Sequence, residues 1–354
     1  MLYIAQPDGS PKSLAMHAAY SPDGIHWTDE PHNPVIPHSD TQTSSYRDAR
    51  LGRYVAYLRY GPPNTRAISR IESEDFIHWS PKVTVFPPLK NKLDIPRTTK
   101  LYGMRIMPYA GGVKIGLLTA YHGETISEIP KDKEEWMDKG DVQLTFSRNG
   151  LTWQRVGKRG AITPEQYSMD KDWHKASAEA TFLPWGRHKV DWDWGQIYAF
   201  QGPVIVGDEI WFYYAGAANR HWAKYHGDTR ASAIGLATLR LDGFVSINAE
   251  KTGTMTTKAF VFVGDTLEVN ADATGGAIAV EALDLDGKVI DGFSKDDCQA
   301  ITSDSVRHIL TWNGNEDCHL IQARPIKLRF TLKKAKLYSF TPRIRHEHYI
   351  QSYD

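Results

Sequence analysis

Across the first 250 residues, apolar and polar positions fall into short alternating or clustered runs that favour strands over helices. Three runs rich in β-branched and aromatic residues stand out: Arg-Tyr-Val-Ala-Tyr-Leu-Arg at 53–59, Val-Lys-Ile-Gly-Leu-Leu-Thr-Ala-Tyr at 113–121 and Glu-Ile-Trp-Phe-Tyr-Tyr at 209–214. Each follows a glycine turn, at 51–52, 111–112 and 207–208, and ahead of each turn a further strand is predicted, at 42–47, 102–107 and 198–206. A seven-residue phrase recurs beside these runs: Ser-Pro-Asp-Gly-Ile-His-Trp at 21–27, Ser-Glu-Asp-Phe-Ile-His-Trp at 73–79 and Ser-Arg-Asn-Gly-Leu-Thr-Trp at 147–153. Ser and Asx side chains fold such a segment into a tight turn, and the closing Trp can pack on a sheet.

The predicted unit is therefore inner strand, turn, second strand, third strand, then the Ser/Asx/Trp turn. One such turn per sheet is the signature of a β-propeller, whose sheets bury both faces only when neighbours stack around an axis; the alternative is chance similarity among turns. Counting units gives three blades plus the outer half of an earlier one at 1–30, and the last unit, 233–244, ends in Leu-Asp-Gly-Phe in place of the turn. Beyond about residue 250 the pattern changes. Runs at 256–262, 266–270, 277–283, 307–312 and 326–332 alternate as half-buried strands between Gly/Asp turns, and 336–340 reads as a last strand. The expected organisation is all-β, with a propeller over 1–250, a β-sandwich over 251–342 and a loose polar tail over 343–354.

Composition narrows the function classes. Lys plus Arg equals Asp plus Glu at 42 each, so no global field favours nucleic acid or an anionic membrane, and a neutral small molecule or a glycan fits better. Eleven Trp and 17 Tyr suit sugar stacking as well as sheet packing. Cys298 and Cys318 lie 20 positions apart, and the sequence leaves their pairing open. Zinc-ligand spacings, dinucleotide and phosphate loops and the nucleophile elbow are all absent from the sequence, so no metal and no cofactor is expected. No apolar run approaches a membrane span, and the start of the chain lacks the regions of a signal peptide, which leaves localisation open.

Taken together, the turns and several further motifs resemble proteins with a glycoside hydrolase family 32 amino-terminal domain. These belong to the five-bladed propeller superfamily that also holds families 43, 68 and 117. The chain is most similar to a bacterial branch carrying Ser-Asp-Thr-Gln (39–42) before Gly-Arg-Tyr-Val-Ala-Tyr (52–57), Tyr-Gly-Met (102–104), and Gln-Gly-Pro (201–203) before Asp-Glu-Ile-Trp-Phe-Tyr-Tyr (208–214). Asp-Ser-Val-Arg-His (304–308) and Ala-Lys-Leu-Tyr-Ser-Phe (335–340) carry the likeness into the second half. The resemblance implies a carbohydrate partner, hydrolysis of a plant or algal oligosaccharide, and a further first blade, upstream of Met1 here, whose Asp is the nucleophile or base in the better-known families. A non-catalytic glycan-binding propeller is the alternative it leaves open.

Hydrolysis of a glycosidic bond needs two carboxyl groups flanking it. Just ahead of the predicted inner strands, Asp40 is the first candidate; Asp193, with Asp191 as its rival, is the second; Asp94 is the third. Gln42, Tyr102, Arg105, His122, Gln201, Arg220 and His221 could supply hydrogen bonds to hydroxyls, and Trp185 a stacking face in an insertion over 163–194 shared with Trp192 and Trp194. Each of these residues is equally at home in a structural role.

Overall fold

The computed structural model describes residues 1–6, 9, 14–37, 39, 42–60, 66–86, 99–122, 137–157, 160–161, 181–221 and 231–344. Among them the chain is almost entirely β, the helical exceptions being single 3-10 turns at Ala110–Gly112 and His319–Ile321. It divides into two compact units, Met1–Val204 with Trp211–Ala237, and Ile205–Ile210 with Thr238–Asp354.

The first unit is a series of antiparallel sheets in chain order. Strands β1 (Leu2–Ala5), β2 (Ala15–Tyr20) and β3 (Thr28–Asp29) form a three-stranded sheet. A four-stranded meander follows, from β4 (Ser44–Asp48) through β5 (Arg53–Arg59) and β6 (Ile68–Ser73) to β7 (Val83–Phe86). The next comprises β8 (Thr99–Pro108), β9 (Lys114–His122), β10 (Lys139–Ser147), β11 (Gln154–Gly157) and β12 (Gly160–Ala161). Strand β13 (Thr181–Leu183) also pairs with β10, and β14 (Gln196–Ala199) meets β10 in parallel at Gly140↔Gln196, which joins this meander to the last one. There β16 (Glu209–Ala217) pairs with β14, with β15 (Val204–Val206) and with β17 (Ser232–Arg240). The run predicted as one strand at 198–206 is thus two strands, interrupted around Gly202, whose φ of 79° is the left-handed turn that glycine adopts without strain.

Consecutive sheets bury their faces on each other. Met16, Ala18, Val35 and Ile36 pack with Ala56, Leu58 and Ile71 between the first and second sheets. Val55, Tyr57, Ile68 and Phe86 pack with Leu101, Met104, Leu118 and Trp153 between the second and third. The three repeated turns close on the same hydrogen bonds. In each, the Ser Oγ accepts from the backbone N–H three residues on, at 2.8, 2.8 and 2.9 Å. The Asx Oδ1 accepts from the N–H groups two and three residues on, at 2.9 and 2.8 Å in every copy. The Trp Nε1 donates back to the fourth residue's carbonyl, at 3.1, 3.2 and 3.2 Å. That fourth residue is left-handed each time: Gly24, Phe76 and Gly150, with φ of 75°, 69° and 71°. Packing differs between copies. Trp153 is buried against Tyr57 with ring centroids 5.6 Å apart, whereas Trp27, predicted to pack on a sheet, is 45% exposed.

Burial grades the stability of the three turns. Ser147 and Ser73 are buried and Ser21 is half-exposed, so removing the hydroxyl leaves an N–H without an acceptor in the first two and lets water replace it in the third. Ser147→Ala and Ser73→Ala are each expected to cost about 1–3 kcal/mol, and Ser21→Ala less than about 1 kcal/mol. Urea midpoints of the three variants check the order.

In the second unit one long strand, β23 (Pro325–Arg343), lies at the centre of a sheet with β18 (Ile247–Thr256), β19 (Phe260–Val261), β20 (Thr266–Asp272) and β21 (Ala277–Leu283), while β22 (Asp304–Ile309) adds to β20. The two final strands predicted at 326–332 and 336–340 are therefore one. A left-handed residue between them, Lys334 with φ 45°, marks the irregularity where pairing passes from β21 to β20. The strand predicted at 256–262 is likewise divided, its ends belonging to β18 and β19. The core is aliphatic and aromatic, from Phe262 and Leu267 to Trp312, Phe330 and Leu332. Cys298 and Cys318 are both buried within it and are not joined by a disulfide. No described helix is long and apolar enough to cross a membrane.

Candidate functional site

Four stretches of the first unit bring polar side chains together: the start of β8, the end of β9 with the start of β10, the start of β14, and residues 219–221 after β16. A register shift between Leu101 and Gly103 places Tyr102 at an irregularity of the β8–β9 pair, a device that re-aims a side chain. Its hydroxyl lies 2.6 Å from His221 Nε2, and the two rings meet edge to face with centroids 5.1 Å apart. Tyr121 packs on both, at 5.2 and 5.0 Å.

The hydrogen bonds fix the tautomer of His221. Gln196 Nε2 donates to the Asn219 carbonyl at 3.2 Å, which turns its Oε1 towards the site. That oxygen accepts from Tyr198 at 2.6 Å and from His221 Nδ1 at 3.2 Å. With the ring proton on Nδ1, Nε2 is the acceptor for the Tyr102 hydroxyl. Asp138 lies beneath. Its φ of 60° kinks the chain into β10; its N–H donates to the His122 carbonyl at 2.6 Å, and its carbonyl accepts from the His221 N–H at 3.0 Å. Its carboxylate accepts a hydrogen bond from Tyr121, whose phenol is pushed well above its ordinary range by burial and by that bond.

Burial also lowers the His221 pKa; the charge of Asp138 opposes that effect, and Arg66, Arg59 and Lys100 reinforce it. The unfolded chain therefore takes up a proton at His221 at a higher pH than the folded protein does. The stability linked to this group is fully present above about pH 6.5 and is lost as pH falls from there towards the lowered folded value. His221→Gln is expected to flatten that part of the stability profile. Urea midpoints of wild type and variant at about pH 7.5 and about pH 5.5 test it, and parallel profiles would show that His221 is not the titrating group.

A second group adjoins the first. His122 Nε2 is 3.0 Å from Asp141 Oδ1, and Asp141 also accepts from Gln143 at 3.4 Å and from Thr181. The His122 ring lies 6.0 Å from that of Trp185, and the buried Lys139 sits over Trp185 and Trp194 at 5.3 and 5.0 Å, with Arg220 over Trp194 at 5.3 Å. Gly195 permits this arrangement, because a Cβ there would stand 2.0 Å from the Asn219 carbonyl oxygen.

Of the residues picked from the sequence, Tyr102 and His221 meet directly, and His122, Trp185 and Arg220 belong to the adjoining group. Asp40 and Asp94 lie outside the described residues. Gln42 is packed over Gly103, next to Tyr102. Arg105 is committed elsewhere: it donates to the Thr43 carbonyl at 2.6 Å and the Ala199 carbonyl at 3.4 Å, tying three inner strands together, and burial lowers its pKa to about 10. Gln201 bonds both backbone groups of Ser45. Asp193 accepts from Tyr214 at 2.9 Å and packs over Gly216, beside the Trp192–Tyr214 stack. Its rival Asp191 is held on the surface by Arg187. Missed altogether were Asp138, Asp141, Tyr121, Gln196 and Tyr198. The one available signal was Asp-Lys-Gly-Asp at 138–141, two acids flanking the entry to a strand. Among the described residues no group of three or more His, Cys, Asp or Glu could hold a metal ion.

No family model and no curated protein matches the sequence. Solved structures similar to the chain include an N-acetylgalactosamine deacetylase from F. plautii in complex with blood group B trisaccharide, at 14% identity over 67% of each chain with a TM-score of 0.44. They also include a β-1,2-mannobiose phosphorylase from Listeria innocua, at 16% identity over 72% of this chain and 62% of that one, TM-score 0.40. A GH32 β-fructofuranosidase from Bombyx mori in complex with sucrose matches at 12% identity over 97% of this chain and 76% of that one, TM-score 0.37. Glycoside hydrolases, which the sequence motifs resemble, are thus among the similar structures; the phosphorylase match spans less than two thirds of that protein.

Proposed function

We propose that this chain is a propeller of the five-bladed glycoside-hydrolase type, of which its sequence supplies three full units and part of a further one, followed by a β-sandwich, and that it cleaves glycosidic bonds of a plant or algal oligosaccharide at the Tyr102–His221 surface. The observation that carries this reading is the half-buried set of Tyr102, Tyr198 and His221, oriented through Gln196 over a buried carboxylate. Rings with polar tips suit the C–H faces and hydroxyls of a sugar, and the fixed Tyr102–His221 pair can pass a proton. The motif resemblance supports the same reading. Of the two carboxyl groups that hydrolysis needs, Asp40, two positions before Gln42 in the chain, is one. In place of the second, His221, held by the Tyr102 hydroxyl and by Gln196, transfers the proton; Asp138, fully buried beneath, acts through His221 and does not itself reach the bond, and Asp193 is bonded to Tyr214.

A specific observation favours a second reading. Asp138 and Asp141 are both buried and hydrogen-bonded, so neither flanks a bond at the surface, and the Tyr102, Tyr198 and His221 rings would then bind a glycan without cleaving it. Incubation of the protein with a panel of plant and algal oligosaccharides, read for new reducing ends and in parallel for binding by calorimetry, separates the two. Cleavage is the expected result. Binding without cleavage selects the second reading, and neither binding nor cleavage discards both.

A further inference from the structure

The contact between the second and third sheets has two halves, and each half recurs by itself elsewhere in the first unit. In that contact the Trp153 ring meets Tyr57 edge to face at 5.6 Å. The Tyr57 hydroxyl donates to the Gly150 carbonyl at 2.8 Å, the same carbonyl that accepts from Trp153 Nε1. Tyr57 is the fifth residue of β5, and Trp153 closes the repeated turn of the sheet that follows. The second turn packs in the same direction, with Ile77 and Trp79 against the core that the first and second sheets share. Each of these two turns thus docks backwards, on the preceding sheet. The first turn closes on the same hydrogen bonds, yet its Ile25 and Trp27 stand exposed.

The receiving half recurs on the last sheet. Tyr213 is the fifth residue of β16, as Tyr57 is of β5, but Tyr57 is fully buried and Tyr213 is 39% exposed. Its neighbours place it on an open face. A Cβ at Gly235 would stand 2.4 Å from the Tyr214 ring, so Gly235 lies on the side of the sheet where Phe212 meets Phe182 of β13. Alternation along β16 and β17 then puts Ile234, 69% exposed, and the exposed Leu236 on the other side with Tyr213. Strand β17 pairs only with β16 among the described strands, and no charged residue interrupts it from Ser232 to Leu239. Soluble sheets ordinarily cover such a face and guard such an edge with charge.

We infer that the first unit associates head to tail with a second copy of this chain, the Trp27 turn of one molecule docking on the Tyr213 face of the next. Among the described sheets, the one whose turn Trp is exposed is the first, and the one whose Tyr57 counterpart is exposed is the last. In the docked pair Tyr213 takes the place of Tyr57, donating to the Gly24 carbonyl that already accepts from Trp27 Nε1, while Ile234 and Leu236 cover Ile25. Two different patches meet in this contact, so two copies close it only by making it twice, and otherwise further copies add on. A few apolar side chains on each side make a small interface, which places the association in the micromolar range. None of these residues belongs to the Tyr102–His221 surface, so the inference does not depend on the function proposed there.

Sedimentation velocity of the full chain from about 2 to about 200 μM tests it. The weight-average mass is expected to rise with concentration and to change little with added salt, because apolar surface carries the contact. Trp27→Ala removes one patch and Ile234→Glu the other, and each variant alone is expected to stay monomeric with thermal melts like wild type. Their equimolar mixture is expected to form a dimer at the highest concentration and to stop there, since each partner keeps one intact patch. That rescue separates head-to-tail pairing from a patch that pairs with itself. A wild-type chain that is monomeric throughout would overturn the inference and leave the two faces to a sheet from another polypeptide. Association that survives either substitution, or a mixture that stays monomeric, would overturn it as well.

Discussion

Asp138→Asn is expected to lower glycan hydrolysis by about 100-fold or more while the protein stays folded. Asn has the shape of Asp, adopts the left-handed backbone that φ 60° requires at this position, and still accepts the Tyr121 hydroxyl through its amide oxygen. What the variant removes is the negative charge under His221 and Tyr102. Asp40→Asn is expected to show a loss of at least the same order, because the reaction needs a carboxyl group at the bond itself. Asp193→Asn serves as the comparison: its bond to Tyr214 survives as an amide contact, and turnover is expected to stay within about threefold of wild type. Initial rates of reducing-end release, with thermal melts to check folding, measure all three. Full activity in Asp138→Asn beside an inactive Asp193→Asn would assign the second role to the Asp193 carboxyl group and not to His221 over Asp138.

Phe330→Ala is expected to remove about 3–5 kcal/mol from the second unit, the largest stability loss predicted for the chain. Phe330 is fully buried at the middle of β23, opposite Met255 on β18 and Val280 on β21, with the Phe340 ring 5.2 Å away. Because Phe330 lies on β23 between β18 and β21 and packs into the unit's core cluster, the cavity would open inside that core and could collapse only by shifting these strands. A domain's whole stability is only about 5–15 kcal/mol, so a large part of the unit's margin is at stake. Phe340→Ala, at a half-exposed position on the same strand, is expected to cost markedly less. Urea unfolding of the full chain, followed by the transition that responds to both variants, compares the two.

Much of the architecture was legible because its determinants are local. The glycine turns, the β-branched runs and the order of strands in the meanders are properties of contiguous residues, and the sheets follow them with boundary shifts of a few positions. The errors arose where regularity over a long stretch hid a local break. The strand predicted at 198–206 contains the left-handed Gly202, and the two predicted end strands are one because Lys334 absorbs the irregularity without ending the pairing. The candidate site was legible only in part. Tyr102 and His221 were picked, but so were Arg105 and Gln201, whose side chains satisfy backbone groups, a role that looks the same in a sequence.

The Ser/Asx/Trp turn and the Tyr102 site mark the two limits of what the chain discloses. Every hydrogen bond that defines the turn spans two or three residues, so the sequence by itself determined the turn in all three copies, while the left-handed fourth position, held by a Phe in the second copy, emerged only from the structure. The site instead joins residues 102, 121, 138, 196, 198 and 221, and the Tyr102 to His221 contact bridges 119 positions. Such contacts exist only once the β8–β9 irregularity has turned Tyr102 and the parallel bridge between Gly140 and Gln196 has drawn β10 against β14. Sheet pairing and packing set those distances, and no local pattern of residues encodes them.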